Sequence, residues 1–464
     1  MSTSNNTRPG PVIEDWRPED EHFWETVGKH VANRNLMISI PSLLLAFSVW
    51  MMFSMVAVNL NRVGFEFTTN ELFLLTALPA LSGATLRIFY SFMVPIFGGR
   101  RWTAISTASL LIPAIWLGFA VQNPDTPFWQ FAAIALLCGL GGGNFASSMS
   151  NISFFYPKRQ QGTALGLNAG LGNLGVSVMQ FVVPLVISAG IFGAIAGSPQ
   201  VVEATGRELY LQNAGFIWVP FLVVCVFAAW FGMNDLVSAR SSFAEQSVIF
   251  KRKHNWLMCW LYIGTFGSFI GYSAAFPMLI NSQFPAVDAM KFAFLGPLVG
   301  ALIRPVGGWL SDRVGGATVT FWNFVVMIIA VVGVILVLPG EAGEGNFYSF
   351  LALFMLLFIT TGIGNGSTFR MIPVIFQNLH AQWARPGQSV EQTRRFGSLE
   401  SAAVLGFSSA VGAYGGFFIP QGFGLSITAT GSVNAALYAF IAFYASCLVI
   451  TWWWYMRRGA EAPC

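Results

Sequence analysis

Twelve stretches of this chain are long and apolar enough to cross a lipid bilayer, and this decides most of what it can fold into. They cover roughly 36–59, 72–97, 103–122, 128–156, 163–190, 214–234, 255–280, 291–312, 317–339, 346–371, 400–425 and 433–457. A bilayer core takes about 20 apolar residues per helix. Inside it every backbone N–H and C=O must be satisfied by the chain itself, so only helices or a closed barrel can span. Barrel strands alternate apolar and polar residues, whereas these runs are continuous. Only 9% of the 464 residues are charged, against about a quarter in soluble domains. The fold class is therefore all-α and integral to the membrane.

The segments between spans divide the chain. Residues 1–35 form a polar N-terminal segment, 36–234 a six-helix half, 235–254 a polar, basic linker, 255–457 a second six-helix half, and 458–464 a short tail. The N-terminus lacks the basic start and adjoining apolar stretch of a signal peptide. Cationic residues gather on one side: Arg8, Arg17, Lys29, Arg34, Arg100, Arg101, Lys158, Arg159, Arg240, Lys251, Arg252, Lys253, Arg313, Arg385, Arg394, Arg395, Arg457 and Arg458. The other side holds Arg62, Arg207 and Lys291. By the positive-inside rule both termini and the linker are expected in the cytoplasm.

The two halves repeat each other. Leu81-Ser-Gly-Ala-Thr-Leu-Arg87 returns as Leu298-Val-Gly-Ala-Leu-Ile-Arg304, and each arginine precedes a glycine pair at the same spacing, Gly98-Gly99 and Gly315-Gly316. Gly139, Gly141 and Gly143 in span 4 match Gly362, Gly364 and Gly366 in span 10; Gly166, Gly172 and Gly175 in span 5 match Gly406, Gly412 and Gly415 in span 11. Three matched pairs in chain order predict the major facilitator fold, twelve transmembrane helices in two pseudo-symmetric halves with the substrate between them near the midplane.

Arg87 lies about 16 residues into its span, roughly 24 Å down a helix, too deep to reach an interface by snorkelling. Arg304 is placed alike. No span core holds a carboxylate to pair with either; Asp235, Asp312 and Glu400 fall at span ends. An intramembrane charge marks an ion or substrate pathway, and a planar guanidinium fork suits a flat oxyanion. The pair therefore predicts an anion site. Two guanidinium groups about 8 Å apart repel by roughly 2 kcal/mol at an effective dielectric near 20. An empty site should resist closing, which favours exchange of one anion for another. The four histidines (His22, His30, His254, His380) lie outside the span cores or at their edges, so a proton relay has no evident carrier.

Other classes find little support. The five cysteines have no metal or redox spacing, so neither a metal site nor a cofactor is expected, and a membrane oxidoreductase or any other enzyme is disfavoured. The Gly-x-Gly-x-Gly runs lie inside apolar spans without a preceding strand, which argues against a nucleotide loop; no nucleic-acid partner is expected. The glycines have two readings, close helix packing or freedom to bend and slide beside a substrate, and both can hold. Asn173 and Ser409, within the glycine runs of spans 5 and 11, offer hydrogen bonds either to an anion or to a neighbouring helix. Loops bearing Gly98-Gly99-Arg100-Arg101 and Ser311-Asp312-Arg313 read as conformational latches.

These residues resemble the bacterial nitrate/nitrite porters of the NarK and NarU type, within the major facilitator superfamily. The likeness covers nearly the whole chain: Asp15-Trp16-Arg17-Pro18-Glu19, Tyr90-Ser91-Phe92-Met93-Val94-Pro95, Asn144-Phe145-Ala146-Ser147-Ser148-Met149, Leu165 through Gly175, Thr265-Phe266-Gly267-Ser268-Phe269, and Gly415-Gly416-Phe417-Phe418-Ile419-Pro420. The resemblance implies that Arg87 and Arg304 grip the anion, that Phe145 and Phe266 stack on it, and that Tyr262, Asn173 and Ser409 complete its hydrogen bonds. It makes Gly166, Gly170, Gly172, Gly175, Gly406, Gly412 and Gly415 signature glycines. It implies exchange of external nitrate for internal nitrite in nitrate respiration by a monomer in the bacterial inner membrane, with nitrate, nitrite and the lipid bilayer as partners. Proton-coupled uptake of nitrate is the alternative, and transport of another small anion such as formate a third reading. Arg370, Pro373 and Pro305 depart from the expected pattern; Arg370 puts the electrostatics of the cytoplasmic gate in question.

Overall fold

Helices account for all twelve spans in a computed structural model that describes residues 10–202, 205–237, 247–340, 345–384 and 388–464. Span 1 is Glu21–Val63, span 2 Thr69–Tyr90, span 3 Gly99–Ala120, span 4 Phe128–Phe155, span 5 Lys158–Ile187 and span 6 Asn213–Gly232. The second half repeats the series: span 7 is Lys253–Gln283, span 8 Ala289–Val314, span 9 Gly316–Val337, span 10 Phe347–Gln382, span 11 Val390–Thr430 and span 12 Asn434–Met456. Successive spans alternate direction, so both chain ends lie on one side, here called the termini side; the opposite side is the far side. Arg8, Arg240 and Arg385, part of the charge asymmetry, fall outside the described residues.

Helices outrun their apolar cores. Span 1 begins at Glu21 inside the segment that reads as polar, where the Asp20 carboxylate accepts from Phe23 N. Span 11 begins at Val390, ten residues before its apolar run, with a capping box between Ser389 and Gln392. Hydropathy marks the part of a helix that lipid covers. Where the helix starts is decided by capping of its free N–H groups.

The N-terminal segment is docked. Strand β1 (Val12–Ile13) pairs in parallel with β4 (Asp235–Leu236) at the start of the linker, and the buried Trp16 donates from Nε1 to Phe154 O at 3.1 Å. Between spans 5 and 6, β2 (Gln200–Val202) and β3 (Arg207–Leu209) form an antiparallel pair on the far side.

The internal repeat survives in three dimensions. Gly98 and Gly315 both take positive φ, 85° and 91°, and each caps the next span. L-residues with side chains rarely adopt that backbone, which explains glycine at both. The Gly-x-Gly-x-Gly runs press spans 4 and 10 onto the spans that carry the arginines. A Cβ on Gly139 would stand 2.6 Å from Gly83 N, and at the matching positions one on Gly362 would run into Gly300 O.

The halves meet on the far side and part on the termini side. Far-side contacts include Phe73 against Phe423 (ring centroids 6.1 Å apart), Phe181 against Phe294 (5.1 Å) and Gln180 Nε2 to Ser273 O (2.8 Å). Gly166, Gly170, Asn173 and Gln180 stand at i, i+4, i+7 and i+14, one face of span 5. The far end of that face touches the other half, while Gly166 and Gly170 have no atom within 4 Å of a built Cβ.

Candidate functional site

The site forms where the two arginine-bearing helices approach the seam between the halves. Gly83, inside the first arginine motif, and Gly142 together make room for Trp50. A Cβ on Gly83 would meet Trp50 Nε1 at 2.6 Å, and one on Gly142 would meet Trp50 Cε2 at 2.7 Å. The indole is fixed by donating to Pro79 O at 2.7 Å.

Arg87 projects into the space so defined and is 1% exposed. Its Nε donates to Gly142 O at 2.8 Å, and its Nη1 to Ser409 O in the other half at 3.0 Å. Three rings surround the guanidinium: Phe145 at 4.7 Å, Trp50 at 5.1 Å and Phe266 at 5.1 Å from Cζ to the ring centroid. Such faces stabilise a cation by about 0.5–2 kcal/mol each and keep water away. Its Nη2 is buried and has no partner.

Arg304 enters from span 8, whose helix runs from Leu295 to Val314 through Pro305 without a break. Its Nη2 lies 3.5 Å from Tyr262 Oη, and its Cζ sits 5.3 Å from the Phe369 centroid. Its Nη1 is buried and has no partner. Tyr262 stacks on Phe266 with centroids 5.4 Å apart, so this ring pair links the two guanidinium groups. Tyr262 ends one helical segment and Phe266 lies in a π-helical turn, Ile263–Gly267. Such insertions recur at functional sites, and this one sets both rings at the seam. Gly412 clears the space for Tyr262; a Cβ there would stand 2.7 Å from its ring.

Each sequence-predicted residue has a definite place. Arg87, Phe145, Tyr262, Phe266 and Arg304 come together. Ser409 joins them through its backbone carbonyl, because its hydroxyl donates to Gly406 O at 2.8 Å within its own helix. Asn173 is 1% exposed with Oδ1 unpartnered, on the face of span 5 that looks into the seam. The signature glycines divide symmetrically. Gly172 and Gly175 pack on Leu43, Leu44 and Phe47 of span 1, and Gly412 and Gly415 on Tyr262 and Gly267 of span 7, whereas Gly166, Gly170 and Gly406 stand open. Close helix packing therefore accounts for Gly172, Gly175, Gly412 and Gly415 but not for Gly166, Gly170 and Gly406.

Trp50, Phe369 and the Gly142 carbonyl were not anticipated. Gly83, within the motif itself, pointed toward a bulky neighbour without naming it. The span-end acids are occupied elsewhere: Asp235 by Arg100 (3.2 Å), Glu400 by Arg252 (2.7 Å) and Asp312 by Arg370. Arg370 thus belongs to a termini-side ion pair, apart from Arg87 and Arg304. Among the described residues no carboxylate pairs with Arg87 or Arg304.

A multi-pass helical protein with one unneutralised guanidinium from each pseudo-symmetric half is, by class, a membrane transporter. The family model of the Major Facilitator Superfamily matches residues 41–384. The nitrate/nitrite transporter NarU of Escherichia coli (strain K12) is 56% identical over 459 residues, covering 99% of each chain. A probable nitrate/nitrite antiporter, NarK2 of Thermus thermophilus, is 42% identical over 98% of this chain and 99% of its own. The crystal structure of a D-xylose-proton symporter shares the fold at a TM-score of 0.63 and 12% identity, covering 90% of this chain and 96% of that one. The chain belongs to the NarK/NarU-type porters of the Major Facilitator Superfamily, a family of transporters and not of enzymes.

Proposed function

We propose that this protein is a nitrate/nitrite antiporter that exchanges external nitrate for internal nitrite by rocking its two halves about a central anion site. One observation carries the reading: Arg87 Nη2 and Arg304 Nη1, one from each half, are buried donors without partners. An unpaired buried donor costs about 1–3 kcal/mol, more when charged. A small anion would satisfy both at once and neutralise the repulsion between the halves. The aromatic walls favour a flat, weakly hydrated ion such as nitrate or nitrite, the substrates for which the relatives are named.

Arg87 and Arg304 supply charge and directed donors. Phe145 and Phe266 bound the ion face-on and exclude water. Tyr262 donates from its hydroxyl, and Asn173 offers its amide. Closure of the termini side would bring the open faces at Gly166, Gly170 and Gly406 into contact. Two facing cations resist that closure unless an anion lies between them, and this couples reorientation to occupancy and yields exchange. The excess of Lys and Arg on the termini side supports cytoplasmic termini by the positive-inside rule, and the transporter relatives support the bacterial inner membrane.

Reconstituted vesicles test the reading. Nitrate entry should require internal nitrite or nitrate at every imposed pH gradient. Entry into anion-free vesicles driven by a proton gradient alone would replace exchange with proton symport, and failure of nitrate and nitrite to compete with each other would reject the substrate assignment.

A further inference from the structure

Beyond the arginine site, toward the far side, a buried amide bridges the two halves. Gln180 of span 5 is fully buried. Its Nε2 donates to Ser273 O of span 7 at 2.8 Å and lies 3.0 Å from Ser54 Oγ of span 1. Its Oε1 is buried and has no partner. The three residues occupy corresponding heights. Ser273 follows Phe266 by seven residues, Gln180 follows Asn173 by seven, and Ser54 follows Trp50 by four. At 1.5 Å per helical residue, the amide lies about 10 Å beyond Phe266 and about 6 Å beyond Trp50. Spans 1, 5 and 7 all run from the termini side to the far side. An anion moving along the seam between the far side and Arg87 therefore meets Gln180.

We propose that Gln180 is a second anion contact, engaged when the far side is open. This inference rests on the anion-transport reading above. Opening that side withdraws span 7 from span 5 and removes the Ser273 carbonyl from Nε2. The freed N–H then faces the opened seam without its protein acceptor, and an entering anion is an acceptor that replaces the carbonyl. A neutral amide binds an anion more weakly than a guanidinium, because charge-assisted hydrogen bonds are about twice as strong as neutral ones. The ion is therefore passed inward to Arg87 and not trapped. With Oε1 unpartnered, only the bond to Ser54 Oγ holds the amide once span 7 withdraws, which leaves the second N–H of Nε2 directed at the seam.

Transport by membrane vesicles of the two orientations, with calorimetric nitrate binding to the purified protein, tests this. Gln180→Leu should raise KM for nitrate offered on the far face at least fivefold. KM on the termini face and calorimetric affinity should stay within twofold of wild type. Gln180→Glu, nearly the same shape, should work at low pH, where the protonated carboxyl still donates. It should lose far-face uptake at least tenfold as pH rises and the carboxylate repels both Ser273 O and the anion, a step absent from wild type. Wild-type far-face KM in Gln180→Leu, or equal loss at both faces, overturns the proposal. A wild-type protein that carries neither nitrate nor nitrite would instead overturn the transport reading.

Discussion

Arg87, in the N-terminal half, donates from Nη1 to the backbone carbonyl of Ser409 in the C-terminal half, at 3.0 Å and out of contact with water. A hydrogen bond to a carbonyl across the seam holds the halves together only as long as their spacing lasts. In the proposed exchange cycle, rocking must either break this bond or carry it along, which would make Arg87 both a ligand of the anion and part of the hinge.

Lysine cannot replace either arginine. Arg87 uses Nε for Gly142 O and Nη1 for Ser409 O while holding Nη2 free; an ammonium lacks that fixed fork. Arg87→Lys and Arg304→Lys should each weaken nitrate binding at least 100-fold, about 2.7 kcal/mol, by calorimetry on folded protein. Near-normal affinity in both variants would refute the two-guanidinium site.

Two glycines of span 11 should respond differently to the same added methyl. Gly412→Ala drives a Cβ into Tyr262, 2.7 Å away, and should weaken nitrate binding about tenfold, or 1.4 kcal/mol. Gly406 stands in open space, and alanine is preferred to glycine inside a helix by about 1 kcal/mol. Gly406→Ala should keep stability and affinity but slow exchange at least tenfold, because the termini side can no longer close fully. Unimpaired exchange in Gly406→Ala would remove this face from the moving contact.

Arg370 pairs with Asp312 where both side chains are about half exposed. Exposed pairs contribute about 0–1 kcal/mol. Arg370→Gln should leave nitrate affinity within twofold and lower the melting temperature by at most a few degrees. A large loss of affinity would show that this residue acts on the anion after all.

The contact between spans 2 and 4 leaves no room for a side chain at Gly142. A Cβ there meets Gly83 Cα at 2.9 Å and Trp50 Cε2 at 2.7 Å. Gly142→Ala should destabilise the protein by about 1–3 kcal/mol, the usual cost of overpacking, and displace the carbonyl that orients Arg87. Thermal unfolding in detergent, read with and without nitrate, should show a lower midpoint and a reduced nitrate-induced rise. An unchanged midpoint would mean that the two helices can separate without loss.

Hydropathy alone determined the twelve spans and, by position along them, the depth of Arg87 and Arg304, while the duplicated motifs pointed to two halves. Both are local or periodic properties: a bilayer selects continuous apolar length, and an internal repeat is visible whatever it packs against. Helix ends beyond the lipid were harder to read, because capping residues such as Asp20 and Ser389 set them without any change in hydropathy. Only the tertiary structure decided that Trp50 and Phe369 face the arginines, that Ser409 contributes its carbonyl, and that Arg370 is engaged by Asp312. It also separated the packed signature glycines from the open ones. Each of these depends on which faces of distant helices meet, and at helical spacing a lipid-facing phenylalanine and one that walls an ion have the same sequence appearance.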